Sequence, residues 1–148
     1  MEAVWPRLQM SMSVQLPRDP ASVPLVRHLS TRSLSELGVV DEVVDDVEIA
    51  LSEVCTNVVD HAEVGDSYEV EIFVWGHDCE IRVIDSGRGL DEPASFEKRA
   101  GPDYERGRGL AIVRAIMDRV GFESRADRGT LVTLAKHLQF EWEFERSE

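Results

Sequence analysis

Residues 52–61 read Ser-Glu-Val-Cys-Thr-Asn-Val-Val-Asp-His, and this stretch decides how the rest of the chain is interpreted. It ends a segment, about 41–62, whose apolar residues recur at helical spacing and predict a long amphipathic helix. Glu53 and Asn57 are four positions apart, so they share one face of that helix, beside its apolar stripe. A carboxylate can accept a proton, and an amide oxygen is a hard ligand suited to Mg²⁺. The same pair is also common on solvated helix surfaces, so its meaning depends on the motifs around it.

Upstream of this helix, the pattern predicts one strand and one further helix. Residues 8–16 alternate apolar and polar side chains, as a half-buried strand does. Asp19-Pro20 offers an N-cap followed by a proline at the first helical position, and Gly38 stops the helix. The apolar stripe predicted for this helix consists of Val26, Leu29, Leu34 and Leu37.

Downstream, the pattern predicts a hairpin, a long loop, a third helix and two closing strands. Residues 68–75 and 79–85 alternate in register on either side of a turn at 76–78. Residues 86–109 are rich in glycine and charge, and a loop of this length inside a compact domain is usually functional. The remaining predicted elements are a helix over about 109–120, ended by Gly121, and strands over about 122–126 and 129–138.

The size of the chain fits one domain of two packed layers, with helices on a sheet. Its 148 residues are 43% hydrophobic, which is enough to bury a core. We assign residues 8–138 to the domain and 139–148 to a C-terminal tail in which aromatic and acidic residues alternate. The tail either extends the last strand or covers an exposed surface, because that many aromatic side chains are seldom left in water.

Charge, hydropathy and cysteine spacing argue against several classes of function. The net charge is −13 and no dense run of Lys or Arg occurs, which argues against a nucleic-acid partner. No apolar run approaches the length of a membrane span, and the N-terminus does not resemble a secretory signal, so we expect a cytoplasmic protein without membrane association. Cys55 and Cys79 lack metal-ligand spacing and are expected to be reduced, buried thiols.

A second motif, Asp85-Ser86-Gly87-Arg88-Gly89, follows directly on an apolar strand. A carboxylate at that depth needs a hydrogen-bond donor, which the exocyclic amino group of adenine would supply. The two glycines allow the backbone to turn sharply and to approach a ligand closely. An ordinary Asp-Ser-Gly turn would have the same sequence.

A third motif, at 105–110, reads Glu-Arg-Gly-Arg-Gly-Leu and immediately precedes the third helix. Glycines that enter a helix N-terminus, here Gly107 and Gly109, expose backbone N–H groups to phosphate oxygens. Arg106 and Arg108 add cationic donors beside them. The pattern is neither a P-loop nor a dinucleotide-binding fingerprint.

The last candidate residue is Thr130, which shares a strand face with apolar residues. Such a position is typical both of a hydroxyl that meets a ligand and of a core hydroxyl that bonds to the backbone.

In order and spacing, the motifs together resemble the GHKL ATPase superfamily, which includes sensor histidine kinases and type II topoisomerases. The resemblance implies a two-layer α/β sandwich of the α+β class, with helices on one face of a mixed, mostly antiparallel sheet. The residues that carry it are Glu53 and Asn57 of the N box, Asp85, Gly87 and Gly89 of the first glycine box, Gly107 and Gly109 of the second, and Thr130 beside the adenine.

Within that superfamily, the chain is most similar to the bacterial anti-sigma-factor serine/threonine kinases. The resemblance lies in the length, in the strand and helix before the N box, and in the short lid that ends Glu-Arg-Gly-x-Gly-Leu. One departure is Ser52, which stands where that family often has an asparagine. It removes an amide that assists the metal or the phosphates.

This resemblance implies a Mg-ATP-dependent protein kinase that holds a sigma factor away from RNA polymerase and phosphorylates a serine of an anti-anti-sigma protein. Such proteins commonly form homodimers. The implied roles are a catalytic base for Glu53, a Mg²⁺ ligand for Asn57, adenine recognition for Asp85 and contact with the γ-phosphate or the partner for Arg106. The other residues expected to bind the nucleotide are Gly87, Gly89, Gly107, Arg108, Gly109, Leu110 and Thr130.

Two alternatives stay open. In the first, the protein is a nucleotide-gated binding regulator without kinase activity, in which ATP only biases two states of the lid. In the second, the chain is the catalytic fragment of a sensor histidine kinase, which requires a phosphoacceptor histidine in a helical hairpin. His28 lies on the early helix but lacks an acidic neighbour.

Overall fold

A computed structural model describes residues 8–60, 67–85, 105–125 and 129–146. Helices lie on one face of a five-stranded sheet of order β1-β2-β3-β5-β4, which confirms the predicted two-layer α+β arrangement. Each described strand pair is antiparallel, so this part of the sheet is simpler than the mixed sheet that the resemblance implies. The described elements are β1 (Gln9–Pro17), α1 (Ser22–Glu36), α2 (Asp41–Asp60), β2 (Ser67–Trp75), β3 (Asp78–Asp85), α3 (Glu105–Ile116), β4 (Arg119–Arg125), β5 (Gly129–His137) and α4 (Glu141–Arg146).

The predicted β2–β3 hairpin is confirmed, and it lies in the interior of the sheet. Its strands are joined by a two-residue turn at Gly76 and His77, and the register pairs Val70 with Val83. Side chains of β2 alternate strictly, because successive residues of a strand point to opposite faces. The residues that face the helices, all buried, are Tyr68, Val70, Ile72 and Val74.

Helix α2 crosses this sheet lengthwise, and two contacts fix its direction. Near its start, Asp46 pairs with Lys136 at 3.1 Å, and the same Lys136 donates to the carbonyl oxygen of Ile116 at the end of α3. Near its end, Cys55 is hydrogen-bonded to Tyr68 at the start of β2. The last turns of α2 therefore lie over the end of the sheet away from the hairpin turn. None of the helices in the described ranges is both long and apolar enough to cross a bilayer.

The start of α1 differs from the prediction. The helix begins at Ser22, and Asp19 shapes the turn before it by accepting a hydrogen bond from the N–H of Ala21 at 2.8 Å. Aspartate competes for local backbone donors in this way, so it forms an Asx turn here rather than an N-cap. Leu29, predicted to be in the buried stripe, is 39% exposed. Gly38 ends the helix as predicted, with a φ of 92° that side-chain-bearing residues avoid.

Helix α3 was predicted over about 109–120, and both limits are wrong. It runs from Glu105 to Ile116, so the second glycine box lies within its first turns rather than ahead of it. Beyond its end, the N–H of Asp118 donates to the carbonyl oxygen of Ala135, which draws the chain into β4. Sheet pairing thus overrides a helical apolar spacing that continues to Val120.

The C-terminal tail covers a surface and does not extend β5. Phe140 is fully buried and forms an isolated bridge with Val39, between α1 and α2. Helix α4 begins directly after it, and Glu143 accepts a hydrogen bond from the Phe140 N–H at 3.0 Å. The division of the chain after residue 138 stays a prediction.

Candidate functional site

The end of the sheet opposite the hairpin turn brings Asp85 and Thr130 together. Ile84 of β3 pairs with Leu131 of β5, so the next residues along the two strands, Asp85 and Thr130, are neighbours. Both follow the inward alternation of their strands and point to the helix-covered face. Thr130 is 4% exposed. Two motifs that are 45 positions apart in the chain therefore meet at one edge.

The last turns of α2 lie over the same edge. Cys55 contacts Tyr68, and Tyr68 is the register partner of Asp85 across the β2–β3 pair. Asn57 follows half a turn later and is 4% exposed, so its amide faces the interior at this end of the molecule. Asn57 and Asp85 thus lie on the same side of the fold, as a shared ligand requires.

Glu53 lies directly against the backbone of α3. A Cβ atom added at Gly109 would overlap the Glu53 carboxylate, so any other residue here would force that carboxylate to move. Leu110, the next residue, is buried, and Val113, three residues later, belongs to the hydrophobic core. The N box and the second glycine box, separate in sequence, are therefore in van der Waals contact.

The first turn of α3 supplies backbone donors beside Glu53. The N–H groups of residues 105–107, which include Arg106 and Gly107, have no carbonyl partner within the helix. Gly109 is the fifth helical residue, so its N–H is already bonded within the helix. What Gly109 provides is space for the Glu53 carboxylate, because it has no side chain. An N-terminal helical turn of this kind attracts anions. The side chains of Arg106 and Arg108, and Gly87 and Gly89 altogether, lie outside the described residues.

Sequence analysis missed one participant, Arg18. It lies in the turn between β1 and α1, its side chain is 3% exposed, and its guanidinium forms an ion pair with Asp85. A buried arginine requires such a counter-charge. The sequence carries no local signal for this pair, because only the order β1-β2-β3 brings the β1–α1 turn next to the end of β3.

The Cys55 thiol and the Tyr68 hydroxyl beside the site are neutral. Burial raises the pKa of Cys55 to about 12, despite its hydrogen bond with Tyr68, and burial also raises the pKa of Tyr68 to about 12. Cys79 is buried with its pKa likewise raised to about 12, and both cysteines are free thiols, as predicted. A thiol with such a pKa is a poor nucleophile, so Cys55 serves packing although it lies between Glu53 and Asn57.

The fold and the site define a class of protein. A family model for the histidine kinase-like ATPase domain matches residues 16–136, and the chain belongs to this family. The matched range includes the described residues of the site, from Arg18 in the β1–α1 turn to Thr130 in β5.

More particular similarities fall within one group of curated proteins. The chain is 30% identical over 139 residues to the serine-protein kinase RsbW of Halalkalibacterium halodurans, a match covering 87% of this chain and 84% of that protein. It is 31% identical over 143 residues to the serine-protein kinase RsbW of Bacillus pumilus, covering 88% and 87% respectively.

A solved structure shows the same fold. The crystal structure of the RsbU and RsbW domains of a Mycobacterium tuberculosis protein superposes with a TM-score of 0.65 at 23% sequence identity. The match covers 87% of this chain and 32% of that longer chain, so it concerns one of its domains.

Proposed function

We propose that this protein is a Mg-ATP-dependent serine/threonine protein kinase that acts as an anti-sigma factor and phosphorylates a serine of an anti-anti-sigma protein. The observation that carries the proposal is the contact of the Glu53 carboxylate with Gly109. This contact supports the proposal because the Glu53 carboxylate, which can accept a proton, lies beside the first turns of α3, where backbone donors can hold phosphate oxygens. The names of the curated relatives, serine-protein kinases, support the same activity.

The residues of the site fit Mg-ATP. Asn57 is a buried amide on the face that carries Glu53, and its oxygen suits Mg²⁺, which takes its other ligands from water and phosphates. In the described ranges, no three His, Cys, Asp or Glu side chains are grouped to hold a metal ion by themselves. Asp85 and Thr130 would bind the adenine at the sheet edge. Gly87 and Gly89 are assigned to the nucleotide by the resemblance.

Each residue then has one task in phosphotransfer. Mg²⁺, when bound, neutralises charge on the phosphates. Glu53 accepts the proton of the substrate serine, and its position is fixed because α3 packs against it. Asn57 and the N–H groups of the first α3 turn orient the phosphates, and Arg106 contacts the γ-phosphate or the protein substrate.

The partners that we propose are an RNA polymerase sigma factor and an anti-anti-sigma protein, both met in the cytoplasm. The net charge of −13 favours encounter with a basic surface of a partner.

We also propose a homodimer through the free side of β1 and the adjoining α1. β1 is an edge strand of the described sheet, and an apolar groove beside it is lined by Met10, Leu25 and Leu29. Sedimentation velocity should show a dimer for the wild type and a monomer for Leu29→Glu. A wild-type monomer at tens of micromolar would exclude this interface.

Two substitutions on α2 test the kinase assignment. Asn57→Ala should abolish Mg-ATP binding by calorimetry, because the metal loses its protein ligand. Glu53→Ala should retain nucleotide binding but lose transfer of label from ATP to the anti-anti-sigma protein by a factor on the order of 10²–10⁴. Asp45→Ala, a change at an exposed carboxylate of the same helix, is the control and should alter neither.

Three results would contradict the proposal. Unchanged affinity in Asn57→Ala would remove the metal assignment. Equal phosphotransfer by Glu53→Ala would remove the base. A wild type that binds Mg-ATP but labels no serine would instead be a nucleotide-gated regulator.

A further inference from the structure

The ion pair between Arg18 and Asp85 joins a residue of the nucleotide motifs, Asp85, to a residue that belongs to none of them, Arg18. Both side chains are largely buried, at 3% and 15% exposure, and the guanidinium Nη2 of Arg18 meets Oδ1 of Asp85. Two buried charges are costly unless they remain paired. Arg18 therefore stays with this carboxylate, which is the one proposed to read the base.

The turn that carries Arg18 is fastened to the same pair of strands. The backbone carbonyl of Asp19 accepts hydrogen bonds from the N–H and the hydroxyl of Ser22, at 2.9 and 2.7 Å. The Ser22 hydroxyl lies 2.6 Å from the hydroxyl of Tyr68, which is the register partner of Asp85. The guanidinium and the carboxylate are thus positioned by one connected set of contacts, and Arg18 has little freedom to move away when a ligand arrives.

The pairing limits what Asp85 can offer to a purine. A carboxylate has two oxygens and accepts hydrogen bonds only. With Oδ1 committed to Arg18, at most Oδ2 faces a base. Adenine presents a single donor on its pairing edge, the 6-amino group. Guanine presents two adjacent donors, N1–H and the 2-amino group, which match both oxygens of one carboxylate. The guanidinium is itself only a donor, so it cannot replace the missing acceptor.

We propose that Arg18 is a specificity-determining residue that makes Asp85 select adenine over guanine nucleotides by occupying one of its two oxygens. This inference rests on the proposed nucleotide site, and within it adds a residue that contacts Asp85 from outside the recognised motifs. A purely structural ion pair makes a different prediction, because its loss would weaken ATP and GTP binding by the same factor.

The test is the ratio of the dissociation constants for Mg-ATP and Mg-GTP, measured by calorimetry on the full chain. The wild type should prefer ATP. Arg18→Met frees the second oxygen, so the preference should fall by about 10- to 100-fold, mostly through gained GTP affinity. Arg18→Lys should retain most of the preference, because an ammonium still holds one oxygen. Arg32→Met, at an arginine that is 75% exposed on α1, should change neither constant.

Each outcome of this test leads to a different conclusion about Arg18 and about the nucleotide site. An unchanged ratio in Arg18→Met, with both constants shifted together, overturns the inference and leaves the nucleotide site intact. Binding of neither nucleotide by the wild type overturns the site and the inference with it. If circular dichroism shows that Arg18→Met does not fold, Arg18→Ala decides, since its small side chain leaves room for water beside the Asp85 carboxylate and holds neither of its oxygens. A wild-type ratio in that variant overturns the inference.

Discussion

The two ends of the sheet differ in the kind of side chains that are buried there. At the hairpin-turn end, Phe140 is fully buried, stacks on Trp142 with ring centroids 5.7 Å apart and meets the edge of His77 at 5.4 Å. At the other end, polar side chains are buried among the apolar ones. Asn57 and Thr130 are each 4% exposed, and Arg18 forms its ion pair with Asp85.

This difference favours the polar end as the place of the proposed site. Aromatic burial releases apolar surface from water and needs no partner of defined geometry. Buried polar groups cost free energy unless each finds a hydrogen bond, so a fold selected for stability alone would avoid collecting them at one edge. Their collection at the edge with Glu53 and Gly109 supports the proposed nucleotide site.

The largest effect should come from breaking the aromatic end. Phe140→Ala removes a fully buried ring and should lower the free energy of unfolding by about 3–5 kcal/mol. Affinity for Mg-ATP, measured at a temperature where the variant is folded, should be unchanged because the site lies at the opposite end. Trp75→Ala, at a side chain that is 69% exposed, is the control and should shift stability by less than about 0.5 kcal/mol. Weakened nucleotide binding in folded Phe140→Ala would show that the ends are coupled.

An intermediate effect should come from the contact between α2 and α3. Gly109→Ala puts a methyl group where the Glu53 carboxylate lies, so the flexible Glu53 side chain must move, and the gain of about 1 kcal/mol that alanine brings at an unhindered helical glycine should be largely cancelled. Phosphotransfer should fall by at least about tenfold, because the proton acceptor is displaced. In the control, Gly121→Ala, the added Cβ meets only the Thr133 Cβ at 3.9 Å. A more stable, fully active Gly109→Ala would contradict the close packing.

The smallest effect concerns Glu143 at the aromatic end. Burial alone would raise the Glu143 pKa, but the hydrogen bond from the Phe140 N–H and the contact with His77 at 3.0 Å outweigh it and lower the pKa below 4.5. A lowered folded-state pKa gives stability that is present above the unfolded pKa and lost as pH falls through the folded one.

Urea midpoints of the wild type and of Glu143→Gln should therefore differ at pH 7, by about 0.2–1 kcal/mol in stability, and converge near pH 3. Glu141→Gln, at an exposed neighbour, should match the wild type at both pH values. A wild-type advantage that is constant from pH 7 to pH 3 would mean that the Glu143 charge has no part in it.

The sequence patterns predicted the types of the helices and strands better than the residues at which they begin and end. The alternation in β2 and the apolar face of α2 led to correct elements, since burial on one side leaves a clear period in each. The end of α3 at Ile116 did not follow from the sequence, because the apolar spacing continues while the backbone hydrogen bonds have already moved to β5. Leu29 was placed in the buried stripe by spacing, although α1 covers the sheet only partly.

In the candidate site, too, some features could be predicted from the sequence and others could not. Glu53 and Asn57 were found together because helical spacing puts them on one face, and this holds in the structure. The proximity of Asp85 to Thr130, and of Glu53 to Gly109, depends on strand order and helix packing, which no local pattern encodes.

By itself, the sequence determined the type of each main element, the apolar faces that pack together and the residue types able to meet a nucleotide, because these follow from short-range periodicity and side-chain chemistry. Only the tertiary structure decided that Arg18 pairs with Asp85, that Gly109 lies against Glu53 and that Phe140 covers the far end of the sheet. Such contacts join residues that are distant along the chain. Their closeness results from minimising the exposed apolar surface and the unpaired charge of the whole fold at once.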